Sequence, residues 1–129
     1  MIAGIGVDLV KVSRVQAGLD RFGGRFPRRI LTAEEMVEYP VARWPACFIA
    51  KRFAAKEALV KALGTGFRFG VGLRDIGVRH DALGQPYLVY SAAAQRLLDT
   101  RGVVESHLSL SDEADLALAV VTLVRRAVY

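Results

Sequence analysis

Cysteine is almost missing from these 129 residues. Cys47 stands alone, so no internal disulfide can form, and a lone thiol suits a reducing compartment. Long apolar runs are missing too. The longest candidate, Leu116–Val124, falls far short of the ~20 residues that a bilayer requires. The apolar N-terminus has no basic stretch before it and is interrupted by Asp8, which makes a poor signal peptide. One cysteine and two histidines offer no zinc-ligand spacing. Composition leaves a Ser-His-Asp triad open, but the nucleophile-elbow pattern GxSxG occurs nowhere. Internal repeats, low-complexity tracts and linker-like stretches are also lacking. The expectation is a soluble cytoplasmic protein with no membrane partner.

Acidic residues are scarce in one region. Between positions 11 and 29, Asp20 alone opposes Lys11, Arg14, Arg21, Arg25, Arg28 and Arg29, within a chain of net charge +5. Such a patch attracts nucleic acid, an anionic surface, an acidic protein or phosphates, or else it is simply a solvated helical face. Only Phe22 and Phe26 accompany it, so no base-stacking surface is evident and a nucleic-acid module is disfavoured. The apolar content of 53% and the length fit one compact domain over residues 1–129. A chain of this size buries roughly two-thirds of its unfolded surface and needs no staple.

Residues 2–12 read as a strand in which Ile5, Val7 and Leu9 share one face and Gly4, Gly6 and Asp8 the other. Ser13 is a candidate cap for a short helix over Arg14–Phe22, closed by Gly23 and Gly24. Thr32-Ala-Glu-Glu35 is a capping-box pattern for a helix ending before Pro40. Pro45 opens the longest helix, which runs to about Leu63 with Gly64 as its cap. Along it, Ala46, Ala50, Ala54, Ala58 and Ala62 form a smooth stripe at a spacing of four. A strand pair is expected at 75–80 and 86–90, a helix at 91–101, and a second pair at 105–111 and 116–124 around a turn at 112–115. The last strand is apolar on both faces, so it is central or at a subunit contact. The order suggests an α+β fold, a mostly antiparallel sheet packed on one long helix and several short ones.

Asp8 is anomalous in its apolar strand. A carboxylate there needs a cation, hydrogen bonds or water, and the neighbouring glycines leave room for a ligand or another backbone. Glu57 and Lys61, four apart, share a helix face. They are an ordinary ion pair, or a carboxylate for a metal beside an ammonium for a phosphate. Asp8 and Glu57 together would suit Mg²⁺, which takes one or two carboxylates and completes its shell with water and phosphates. A Mg²⁺-dependent nuclease is disfavoured, because its usual Glu-x-Lys on a strand is absent here. Lys51, Arg52 and Lys56 add charge to the same helix but cannot share one face, since residues five apart diverge by about 140°. Some of them are therefore expected in solvent. Gly64-Thr65-Gly66 follows a helix C-terminus and is no phosphate loop. His107, Ser109 and Ser111 alternate along one strand, as a solvent face or as a phosphate-contacting wall.

Three stretches together resemble one family, the holo-[acyl carrier protein] synthases among bacterial-type 4′-phosphopantetheinyl transferases. They are Gly4-Ile-Gly-Val-Asp8 with Arg14-Val15, Arg52-Phe-Ala-Ala-Lys-Glu-Ala58 with Lys61-Ala-Leu-Gly-Thr-Gly66, and His107-Leu-Ser-Leu-Ser-Asp112. The turn Leu83-Gly-Gln-Pro86 adds to the likeness, which runs from residue 2 to about 124. Asp112 stands where many relatives carry His, so it is assigned no role. The resemblance implies transfer of 4′-phosphopantetheine from coenzyme A to a serine of an apo-acyl carrier protein, in fatty acid biosynthesis. It implies Asp8 and Glu57 as ligands of Mg²⁺, and Glu57 and Lys61 with Asp8 as the catalytic set. It further implies contacts to coenzyme A from Arg52, Lys61, Gly64, His107 and Ser109. Arg14, Arg21 and Arg25 would meet an acidic carrier protein, and a homotrimer would place its sites between subunits.

Overall fold

The last strand among the described residues lies along the first. In the computed structural model, which describes residues 1–127, strand β1 (Ile2–Lys11) pairs antiparallel with β5 (Leu116–Arg125), and β5 pairs on its other edge with β4 (Val103–Glu113). The sheet order β1-β5-β4 puts the doubly apolar strand in the middle, as its sequence requires. A separate hairpin joins β2 (Ile76–His80) to β3 (Pro86–Tyr90). Residues 128 and 129, the end of the expected domain, lie outside the described residues.

Helix α4 (Pro45–Leu63) lies across one face of the three-stranded sheet. It begins with Pro45, whose missing N–H would be unpaired there anyway, and stops at Gly64, whose φ of 75° suits glycine. Ala46, Ala50, Ala54 and Ala58 are buried along it. On the strand side, a methyl group at Gly4 would overlap the carbonyl oxygen of Ala62, and one at Gly6 that of Ala58. Side chains are thus removed from both partners where β1 and α4 meet. The core fills the space between α4, the sheet and the hairpin. The fold is α+β and mostly antiparallel, with one long helix and several short ones.

Around it sit α1 (Val12–Phe22), α2 (Arg25–Ile30), α3 (Ala33–Glu38) and α5 (Ala92–Thr100). Ser13 does not cap α1. The helix starts two residues earlier, at Val12, and Asp115 reaches across from the β4–β5 turn to accept from the Ser13 N–H at 2.8 Å and its hydroxyl at 2.6 Å. Helix α2 was not expected, because six residues with Pro27 inside carry no readable period. Strand β4 runs past Ser111 to Glu113, since the turn needs only Ala114 and Asp115, with Ala114 at φ 50°. Thr32 and Glu35 do form the capping box of α3. No helix among the described residues is long and apolar enough to cross a membrane.

The sheet's other face is bare. Ile5, Val7 and Leu9 are exposed there, beside Leu118, Val120 and Thr122 of β5. Across the sheet Ile5, Thr122 and His107 align, then Val7, Val120 and Ser109, then Leu9, Leu118 and Ser111. An apolar band on β1 and β5 therefore continues into a polar band on β4.

Candidate active site

Asp8 points from β1 toward α4, on the same side as Gly4 and Gly6. Lys61, in the last turn of α4, donates to Asp8 Oδ1 at 2.8 Å and to the Val7 carbonyl at 3.2 Å. That bond and the negative charge of Asp8, with a smaller contribution from Glu57, raise the Lys61 pKa. Glu57 stands one turn earlier on the same face. Partial burial and then the charge of Asp8 push its carboxyl above the ordinary range, while Lys61 pulls it partly back. Two carboxylates and an ammonium thus meet where the first strand crosses the long helix.

The two carboxylates open onto a cavity of about 880 Å³. Asp8 and Glu57 line it together with Phe53 of α4, Val15 and Phe22 of α1, and Phe26 and Ile30 of α2. Lys11, Arg14, Arg25 and Arg29 line it as well. The site is therefore acidic at one point, apolar in its walls and basic elsewhere along them. Of the three arginines expected to meet an acidic partner, Arg14 and Arg25 face the cavity. Arg21 is not among its lining residues, and its guanidinium lies 5.2 Å from the Phe22 ring centroid. Arg29 was not singled out in the sequence, although it belongs to the same basic run. The unexpected α2 is what brings it here.

Arg52 requires correction. It is buried, 3.5 Å from the Phe48 ring centroid, with Nη2 3.2 Å from Glu38 and Nε 3.5 Å from Glu35. Its Nε has no hydrogen-bond partner, since the Glu35 oxygen lies at the limit of reach. This guanidinium is committed to α3 and does not line the cavity that Asp8 and Glu57 share. Lys56, another of the three cations of which some are expected in solvent, is fully buried. Helix periodicity conceals this because α4 is covered on most of its circumference. Lys51 remains partly exposed and lies 3.4 Å from Asp112.

Gly64 ends α4 beside Lys61. His107 and Ser109, in contrast, lie on the bare face of the sheet, and His107 Nε2 is 3.1 Å from Glu105. Within one chain they are separated from Asp8 and Glu57 by the sheet itself.

Residues 4–121 match the 4′-phosphopantetheinyl transferase superfamily. The chain belongs to this superfamily. The matched span includes Asp8, Glu57, Lys61, Gly64, His107 and Ser109. Its superfamily relatives include the holo-[acyl-carrier-protein] synthase of Nitrosospira multiformis, 53% identical over 95% of this chain and 98% of the relative. The crystal structure of holo-[acyl-carrier-protein] synthase from Neisseria meningitidis superposes with a TM-score of 0.94 at 47% identity, covering 97% of this chain and all of that one. A Bacillus anthracis holo-(acyl-carrier-protein) synthase in complex with CoA (3′,5′-ADP) gives 0.82 at 37%, over 98% and 99%. This chain takes its place among the holo-[acyl-carrier-protein] synthases of the superfamily.

Among the described residues no group of three or more His, Cys, Asp or Glu is gathered for a metal. The donor set still fits Mg²⁺. Asp8 and Glu57 supply two hard oxygen donors, and their mutual repulsion is what a cation would relieve. Water and substrate phosphates ordinarily complete such a shell.

Proposed function

We propose that this chain transfers the 4′-phosphopantetheine group from coenzyme A to a serine hydroxyl of an acidic apo-acyl carrier protein. The products are the holo-carrier protein and adenosine 3′,5′-bisphosphate. One observation carries the reading: Asp8, Glu57 and Lys61 converge beside a cavity whose walls are apolar and arginine-bearing. The relatives' name, and the ligand of the Bacillus anthracis structure, agree with it.

In the reaction the serine oxygen attacks the pyrophosphate phosphorus that carries pantetheine. The new P–O ester forms as the bond to the bridging oxygen breaks, and the nucleotide leaves with that oxygen. There is little covalent work for the protein, so positioning and charge neutralisation dominate. Mg²⁺, when held by Asp8 and Glu57, supplies charge neutralisation at the pyrophosphate. Glu57 takes the serine proton, directly or through a water that it orients. Its raised pKa makes it a stronger base than an ordinary carboxylate. Lys61, whose ammonium is kept charged by Asp8, stabilises the leaving phosphate.

The carrier protein docks on α1 and α2, where Arg14, Arg21 and Arg25 attract its acidic surface. The apolar walls receive the segment around its serine. His107 and Ser109 serve a coenzyme bound at the neighbouring subunit's Asp8, because they lie on the opposite sheet face. The bare apolar band of Ile5, Val7, Leu9 and Val120 supports burial against other copies, and a homotrimer closes such a heterologous contact. The setting is cytoplasmic fatty acid biosynthesis. The test is the mass of an apo-carrier protein after incubation with coenzyme A and Mg²⁺. A gain of one phosphopantetheine group is expected, and an unchanged mass would overturn the reading.

A further inference from the structure

Lys56 is the one cation of α4 with no exposure at all, and its ammonium has two partners. It donates to the backbone carbonyl of Ile30 and, at 2.6 Å, to Glu35 Oε1. Ile30 is the last residue of α2, so its carbonyl is among those a helix leaves unpaired. Lys56 supplies the missing donor from a different element, 26 residues away.

The geometry of the two helices gives this bond a role. Helix α2 contributes Arg25, Phe26, Arg29 and Ile30 to one wall of the cavity, while α4 contributes Phe53 and Glu57. Lys56 adjoins Glu57 in sequence but does not itself line the cavity. Glu35 holds the ammonium in place and is itself fixed. Its Oε1 accepts from the Thr32 N–H at 2.9 Å and its Oε2 from the Val78 N–H at 3.0 Å. A short helix with Pro27 inside and two glycines before it has little of its own to hold its angle.

We propose that Lys56, held by Glu35, is a positioning residue: it clamps the end of α2 to α4 and thereby sets the spacing between the arginine-bearing wall and Glu57. Lys56 touches neither substrate. It acts through α2, so its influence falls on the carrier protein rather than on coenzyme A. The inference rests on the docking of the carrier protein at this cavity.

The experiment is steady-state kinetics of Lys56→Met, with KM measured separately for carrier protein and coenzyme A, and with folding followed by urea denaturation. A wider cleft is expected to raise the carrier-protein KM by about tenfold while kcat and the coenzyme A KM stay within about threefold, the pattern of lost uniform binding of one substrate. Equal loss of all parameters, or no change in either KM, would overturn the proposal. Should Lys56→Met not fold, the double variant Glu35→Gln/Lys56→Met, with neither buried group charged, takes the same assay under the same criteria. Charge reversal of Arg25 and Arg29 separates the two readings. If it raises the carrier-protein KM and the Lys56 variant does not, the clamp is wrong. If it does not, the docking assignment is wrong.

Discussion

Lys61 Nζ lies 2.8 Å from Asp8 Oδ1, so the last turn of the long helix is fastened to the first strand at the carboxylate proposed to hold Mg²⁺. Lys61 is half exposed, and an exposed pair of this kind contributes only ~0–1 kcal/mol to stability. Its chemical contribution is far larger. Lys61→Met should lower kcat by about 10²–10³-fold, the usual cost of removing one preorganised donor from a developing oxyanion. The urea midpoint should hardly move. More than a tenth of the wild-type kcat would remove Lys61 from the leaving-group role.

Asp8→Asn and Glu57→Gln should each lose at least about 10²-fold in transfer, with circular dichroism unchanged. Glu57→Gln should in addition stabilise the protein at pH 7. The carboxyl of Glu57 is raised by burial and by Asp8, so its ionised form is less favourable in the folded chain than in the unfolded one. Above the raised pKa the wild type bears that disadvantage in full. As pH falls through the folded and then the unfolded pKa, both states take up the proton and the difference disappears. Urea midpoints of both proteins at several pH values check this. A Glu57→Gln protein less stable than wild type at pH 7 would contradict the assignment.

His107→Ala should lose at least about tenfold in activity if it faces a neighbour's coenzyme. Mixing it with Asp8→Asn and allowing subunits to exchange should then restore activity. In random assembly about a quarter of the sites between subunits would receive both intact residues. Sedimentation of the mixture at assay concentration gives the state of assembly. No recovery from a mixture shown to have exchanged would place both residues in one chain's site.

Reversing Arg14 and Arg21 to Glu should slow encounter with the carrier protein and flatten the dependence of rate on salt. Exposed charges act over the screening length, about 8 Å at physiological ionic strength. Wild-type activity should fall steeply with added salt, while 3′,5′-ADP binding by calorimetry stays the same in both proteins. Identical salt profiles would make the patch an ordinary solvated face.

The long helix was readable to the residue, because proline and glycine mark its ends and an alanine stripe marks its buried side. The Asp8–Glu57–Lys61 grouping was readable from spacing and from the likeness to a known family. What escaped the sequence was set by contacts at a distance. Helix α1 starts where Asp115, more than a hundred residues on, offers its carboxylate. Arg52 and Lys56 look like surface cations until Glu35 and Glu38 are seen across from them. Helix α2 has neither length nor period, and Ala114 at the β4–β5 turn is not a residue type that announces a positive φ.

The pairing of β1 with β5 has a consequence for how the protein comes into being. Asp8 is synthesised more than a hundred residues ahead of its strand's partner, residues 116–124. Until that segment leaves the ribosome, β1 has no ladder to join, and the glycines that seat α4 against it add no side-chain contacts of their own. Such sequence-distant pairing is slow to form and leaves little stable structure before it does. Nascent chains released before residue 116 should remain sensitive to protease along β1. The acidic pair would then acquire its geometry as one of the last events of folding, together with the closing of the sheet.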